Sequence, residues 1–442
     1  MSNLDAGPPQ GEIAPSGGSA AHEVTSVGTR FYDPLETRAP AQRESELLAA
    51  LPLQVAHAQH SSPAFAKLLA GVDAASITSR RALSKLPVIR KHELLELQLQ
   101  GRQADPFGGF SAVGYGPQMP RVFASPGAIY EPQGVRPDYW RLARALFAAG
   151  FRRGELIHNC FSYHFVPAGS MMETGAHALG CTVFAGGTGQ TEQQVNAIAE
   201  LRPAGYVGTP SFLKIIVEKA AEMGVPLTTM RKAMVGGEAF PPSLRDWLGE
   251  RGITGYQCYA TADLGSIAYE TQARQGLVLD EGVIVEIVRP GTGDPVPEGE
   301  VGEVVVTTLN PDYPLVRFGT GDLSAMLPGA CPTGRTNLRI KGWMGRADQT
   351  TKIRGMFVHP SQVADVLRRF PELLKARLVV SGEMANDVMT LQVEAAGTHD
   401  GLDQRVGQAI RDVTKLRAEV QVLAPGSLPN DGKVIEDARS YK

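Results

Sequence analysis

Between residues 155 and 250 short apolar runs alternate with helical patterns, and that alternation restricts the chain more than any other feature. Residues 155–161, 181–185, 206–208 and 233–235 read as strands. Residues 168–179, 192–201, 211–223 and 242–250 carry apolar groups at helical spacing. Gly180 and Gly224 stand where a helix closes. Strands alternating with helices argue for a parallel sheet covered by helices.

Helical spacing also marks 45–69 and 91–99. Residues 137–149 are expected to form a helix opened by Pro137 and Asp138 and closed at Gly150. The texture changes at Val283: 283–288 and 302–309 are strand-like and flank the turn-rich segment PGTGDPVPEGE. The last hundred residues read as strand 352–358, helix 360–370, strands 376–380 and 387–394, helix 402–416 and strand 420–423. That order is the split βαβ unit of ferredoxin-like folds. The expected fold class is therefore α/β: a large N-terminal domain of helix-covered parallel sheets with a β subdomain, then a small α+β domain. Three spans follow: 1–28 as a tail, 29–346 as the large domain and 347–442 as the small one. Rich in Gly, Ser, Pro and Ala, the tail buries too little surface to offset ordering entropy, so disorder is expected there.

Apolar residues make up 43% and charged residues 20%, as in globular proteins that stay in water. A net charge of −3 supplies no field for nucleic acid or an anionic membrane. No apolar run reaches the roughly 18 residues of a membrane span. The N-terminus lacks a basic start and an apolar stretch, so no signal peptide is expected and the location reads as cytoplasmic. Cys160, Cys181, Cys258 and Cys331 are scattered, without a metal-ligand spacing. Gly186-Gly-Thr-Gly189 is not the GxGxxG of a dinucleotide site, which argues against an oxidoreductase.

Four segments have chemical potential. Tyr313-Pro-Leu-Val-Arg-Phe-Gly-Thr-Gly-Asp322 ends in a carboxylate past a glycine turn, suited to accept two ribose hydroxyls. Gly345-Arg-Ala-Asp-Gln-Thr-Thr-Lys-Ile-Arg-Gly355 offers Arg346 to a phosphate or ribose and Asp348 as a hinge. Leu428-Pro-Asn-Asp-Gly-Lys433 puts an ammonium after a turn, able to swing onto an oxygen anion. Tyr256-Gln-Cys-Tyr-Ala-Thr-Ala-Asp263 pairs an aromatic with a carboxylate that can hold Mg²⁺ through oxygen. Taken singly, these are a turn aspartate, a charged linker, a solvated lysine and a core aromatic.

Together, and in this order, the chain resembles the phenylacetate–CoA ligase branch of the adenylate-forming, acyl-CoA synthetase superfamily. The likeness runs through Phe31-Tyr-Asp-Pro, Gly208-Thr-Pro-Ser-Phe212, Gly236-Gly-Glu238, Gly302-Glu-Val-Val-Val-Thr-Thr308 and Arg354-Gly-Met-Phe-Val-His-Pro360. It implies an AMP-binding large domain and a small mobile lid. It also implies an ATP-dependent acid–CoA ligase that forms an acyl-adenylate and then a thioester. ATP, Mg²⁺, coenzyme A and a small carboxylic acid such as phenylacetate would be its ligands, with no nucleic acid or membrane partner, and a homodimer its assembly. By motif, Gly236, Gly237, Glu238, Tyr259, Ala260, Thr261, Asp322 and Arg346 would bind the nucleotide. Asp263 would hold the metal, Asp348 would be the hinge and Lys433 the adenylation lysine. Ser125 and Gly127 would be what remains of the phosphate loop. Phe161, Tyr163, His164 and the turn at Gly187 are candidates for an acyl pocket, since aromatics over a glycine-rich floor suit a flat ring.

The chain departs from that family in three places. Relatives carry a phosphate loop close to SSGTTGKP; the matching stretch here is Phe123-Ala-Ser-Pro-Gly-Ala-Ile-Tyr-Glu-Pro-Gln-Gly134. Pro126 and Pro132 lack the backbone N–H such a loop uses, and Glu131 adds negative charge. Ala262 replaces a hydroxyl residue, and Asp263 is one methylene shorter than the usual Glu. Thr333 stands where relatives often place a second cysteine, so zinc is not expected. The alternative these departures raise is a nucleotide- or acyl-CoA-binding homologue that has lost adenylation.

Overall fold

The computed structural model describes residues 30–347, 349, 351–353, 356–382, 387–397 and 400–438. The expected N-terminal tail and Asp348 lie outside the described residues.

The alternating region builds one large sheet. Its parallel part runs in the order Thr182–Ala185, Leu156–Asn159, Gly205–Gly208, Lys232–Val235, Thr254–Thr261. Gly265–Glu270, Leu277–Leu279, Arg339–Ile340 and Met326–Leu327 extend it antiparallel. The chain order reverses between Leu156–Asn159 and Gly205–Gly208. Ligands of open α/β sheets bind outside the carboxyl ends of strands at such a reversal. The helices Ala168–Leu179, Thr191–Leu201, Pro210–Glu222 and Pro242–Glu250 lie close to the expected spans. Gly180 closes the first of them with φ 82°, a conformation that favours glycine.

The expected helix over 137–149 shrinks to Ala143–Ala148. Asp138 and Arg141 take left-handed conformations, with φ 48° and 63°. The Asp138 carboxylate accepts the N–H groups of Leu142 and Ala143, so it starts the helix late instead of lying inside it.

A second sheet orders Ile89–Arg90, Phe318–Ser324, Gly302–Thr308 and Val283–Val288. All residues of its last two strands are buried. One apolar core joins this sheet to the N-terminal helix Pro40–Ser61 through Leu51, Val55, Ile284 and Val306. Arg317, fully buried, leads into the strand that carries Asp322. It pairs with Glu286 and donates to the carbonyls of Ser84, Leu86 and Gly293. These bonds fix where Phe318–Ser324 begins.

The small domain packs Pro360–Arg369 and Leu402–Thr414 on a four-stranded sheet around its own core. Its strand order is Glu419–Leu423, Val388–Ala395, Leu373–Ser381, Ile435–Asp437. The expected strand 352–358 is not in that sheet; it folds back as a separate pair, Thr351–Ile353 with Met356–Val358. The fourth position is taken by Ile435–Asp437, parallel to Leu373–Ser381 with Ile435 opposite Leu378. That strand is short and carries two carboxylates, so it has no periodicity to announce it. The exposed sheet edge selects it. Lys433 is thereby placed two residues before a strand whose register is set.

Arg317→Met should cost about 3–5 kcal/mol, because it leaves the Glu286 carboxylate buried without its partner. Urea unfolding checks this; a loss below about 1 kcal/mol would show the pair to be dispensable.

Candidate active site

A cleft of about 830 Å³ opens at the carboxyl ends of Lys232–Val235 and Thr254–Thr261. Gly237, Glu238, Tyr259, Ala260, Asp322 and Arg346 line it, as the sequence reading expected of a nucleotide site. Gly236 lies just behind, its backbone so close to Cys258 that a Cβ would come 3.0 Å from Sγ. Glu238 accepts the Ser211 N–H at 2.6 Å, tying the turn after one strand to the helix after another. Thr261 turns away, its hydroxyl accepting from Leu264 N–H.

The carboxylate of Asp322 is the junction of this cleft. Tyr259 donates its hydroxyl to Oδ2 at 2.9 Å. Arg346 donates to Oδ1 at 2.8 Å, and the indole N–H of Trp343 donates to the same oxygen at 3.2 Å. Burial, and then the charge of Asp322, push the Tyr259 phenol well above its ordinary range, so it remains a donor. Trp343 has no counterpart among the residues the sequence singled out.

Arg346 also borders a second cleft, of about 680 Å³, with Lys91, His92, Pro126, Thr320 and His359. The expected phosphate loop is here a tight hairpin: Arg121–Ser125 pairs with Ile129–Gln133, and Ser125 faces Ile129 across the turn. Gly127 takes φ 102° and lies against Leu95. Ser125 spends its hydroxyl on Glu131, donating at 2.6 Å. Glu131 is buried against Asp263, and Asp263 is paired with Lys91 at 2.8 Å. Burial, and then Asp263, raise the Glu131 carboxyl well above the usual carboxylate range. Burial opposes the Lys91 charge, but Asp263 and Glu131 outweigh it and lift its pKa. Glu131 Oε2 and Asp263 Oδ1 are both buried without a hydrogen-bond partner, and one proton on Glu131 satisfies both.

This arrangement bears on the magnesium expected at Asp263. Lys91 already occupies one carboxylate oxygen, and Glu131 crowds the side chain. Among the described residues no group of three or more His, Cys, Asp or Glu is placed to hold a metal. The donor set does not fit a resident magnesium ion.

At the sheet reversal, Asn159 gathers part of the expected acyl pocket. Its side-chain amide donates to the Tyr163 hydroxyl at 2.8 Å, and its backbone carbonyl accepts the Gly187 N–H at 3.0 Å. Phe161 is buried one turn away. His164 does not join them: it is exposed, with its ring edge-on to Phe165.

Lys433 lines neither of the two clefts; its ammonium is 3.7 Å from Glu436 and half-exposed. Its loop nevertheless touches the large domain. A Cβ on Gly432 would come 2.6 Å from Val301 and 3.1 Å from Leu323, the neighbour of Asp322. Gln349 in the linker holds that loop, donating to Gly432 C=O and accepting the N–H groups of Val434 and Ile435.

Sequence reasoning missed Lys91, Asn159, Trp343 and Gln349. Each is a common polar or aromatic residue in an unremarkable context, and only its spatial partners mark it. Glu131 had one signal, a charge in a stretch where relatives carry small hydroxyl residues.

Comparison with known proteins agrees with this geometry. The AMP-binding enzyme family matches residues 139–310, and the AMP-binding enzyme C-terminal domain matches 355–438. A phenylacetate–coenzyme A ligase of Thermus thermophilus is 31% identical, covering 85% of this chain and 91% of that protein. One from Aromatoleum evansii is 29% identical over 89% and 93%. The open conformation of 2-hydroxyisobutyryl-CoA ligase, with 2-HIB-AMP and CoA, shares the fold with a TM-score of 0.69 at 23% identity. That match covers 92% of this chain and 94% of the other.

The raised Glu131 pKa has a stability consequence. A carboxyl that holds its proton more tightly when folded contributes fully below its unfolded pKa, and the contribution is lost as pH rises through the folded value. Glu131→Gln keeps the shape without titrating. Its melting temperature relative to wild type should therefore climb as pH rises through and above the usual carboxylate range. Thermal melts across that range check it, and a pH-independent difference would refute it.

Proposed function

We infer the reaction from the family: the chain belongs to the AMP-binding, adenylate-forming enzymes, in their phenylacetate–CoA ligase branch, and is an ATP-dependent, AMP-forming acid–CoA ligase. We propose that its acid is a small aromatic carboxylate such as phenylacetate. The aromatic and glycine groups around Asn159 support this, as do the names of the relatives. The observation that carries the assignment of the site is Asp322, held by Tyr259 and Arg346 in the cleft at the strand ends.

In the first half-reaction an oxygen of the acid bonds to the α-phosphorus while the bond to pyrophosphate breaks. In the second, the thiol sulfur of coenzyme A bonds to the acyl carbon, AMP leaves and the thiol proton is lost. Asp322 orients the nucleotide through the ribose, Gly237 and Glu238 border the base, and Arg346 faces both clefts toward the phosphates. Lys433 serves the first half-reaction by stabilising charge on the α-phosphate. It reaches that position by rotation of the small domain at Asp348. The 2-hydroxyisobutyryl-CoA ligase, whose fold this chain shares, has open, postadenylation and thioesterification forms. A cytoplasmic location fits this reading, and no described helix is long and apolar enough to cross a membrane.

The hairpin at Ser125 and the buried Glu131 favour a second reading, a relative that binds nucleotide without adenylating. A panel of acids assayed for pyrophosphate release, with and without coenzyme A, separates the two. The ligase should release pyrophosphate with an aromatic acid and form AMP plus thioester when coenzyme A is added. Lys433→Ala should slow adenylation by about 10²- to 10³-fold while leaving thioester formation from supplied acyl-adenylate intact. AMP binding with no release for any acid would end the ligase reading.

A further inference from the structure

We propose that Trp343 is a positioning residue of the nucleotide site: its indole N–H takes the place on Asp322 that a ribose hydroxyl takes, and gives it up when nucleotide binds. This rests on the ligase reading above and deepens it.

The argument is one of acceptor capacity. A carboxylate offers about four lone-pair positions, two on each oxygen. Oδ1 of Asp322 already receives Arg346 and Trp343, whereas Oδ2 receives only Tyr259. A ribose diol brings two donors, one for each oxygen. Oδ2 has room and Oδ1 has none, so one donor must leave. Tyr259 is partly buried and packed against the large apolar core. Arg346 is anchored by charge and by a second contact to the Thr320 carbonyl. Trp343 makes the longest and only uncharged bond to Oδ1. It is the donor that yields. The backbone on either side is held: Gly342 C=O accepts from the Ser324 hydroxyl, and Met344 N–H donates to Leu323 C=O. Only the side chain has to turn, and its ring stays at the wall of the cleft.

Trp343→Phe keeps an aromatic face and removes the competing donor. Measured by calorimetry, AMP should bind about three- to tenfold more tightly to the variant, the equivalent of about 0.7–1.4 kcal/mol. Binding of 2′,3′-dideoxy-AMP, which brings no ribose hydroxyls, should be the same for both proteins. A purely structural role would move both ligands together. Wild-type fluorescence supplies a readout that needs no variant. Of the three tryptophans, Trp140 is buried and Trp247 is covered by Arg251, so Trp343 is the one facing the cleft. AMP should change the wild-type emission, dideoxy-AMP should change it far less, and Trp343→Phe should lose the response. Equal or weaker AMP binding by a variant that melts like wild type would overturn the proposal, as would identical fluorescence responses to the two nucleotides. A wild type that binds AMP and adenylates an acid while showing either result sinks this inference alone. A wild type that binds no adenine nucleotide sinks both.

Discussion

The carboxylate of Asp322 ties together three stretches of chain that are remote in sequence. Tyr259 comes from the large sheet, Asp322 from the β subdomain, and Trp343 and Arg346 from the linker to the small domain. Hydrogen bonds to an ionised acceptor are worth roughly twice a neutral one. Asp322 is partly shielded from water, which preserves that strength. The cleft keeps its shape because three donors converge on one charge, and the linker leaves the large domain in a defined direction for the same reason. Arg317 works one step upstream. Its buried charge is matched by Glu286 and three carbonyls, and it sets the start of the strand that delivers Asp322.

The phosphate end is organised by a different balance. A flexible glycine-rich loop is replaced by a hairpin whose polar groups satisfy one another. Ser125 is committed to Glu131, Glu131 lies against Asp263, and Asp263 holds Lys91. Two acids and one ammonium, with one proton between the acids, leave little uncompensated charge. Burying such a set is tolerable only when each member has a partner. Arg90, Lys91 and Arg346, which face the second cleft, come from segments outside the hairpin.

The small domain shows how a mobile element is addressed. Gln349, in the linker between the domains, holds the backbone around Lys433 through three hydrogen bonds. The lysine loop is thereby tied to the linker. Gly432 lies against Leu323, the neighbour of Asp322 in its strand, while the ammonium itself faces Glu436. The loop is already at the interface between the domains, and a turn of the small domain changes what the side chain meets.

Periodicity alone determined the α/β alternation from 155 to 250, because burial on a sheet and burial on a helix leave different spacings of apolar residues. The order of four motifs likewise pointed to the family, and the resemblance named Gly237, Glu238, Tyr259, Asp322 and Arg346, which line one cleft. Local signals failed where the deciding partner lies far along the chain. Asp138 looked like the first turn of a helix until its carboxylate was seen to cap a later one. Ile435–Asp437 has no pattern of its own and is a strand only because the edge at Leu373–Ser381 was open to it. Trp343, Lys91 and Asn159 acquire meaning from single hydrogen bonds across the fold. A sequence encodes its repeating elements in neighbours three, four or two residues apart; a site is made of contacts between elements, and those exist only once tertiary packing has fixed the distances.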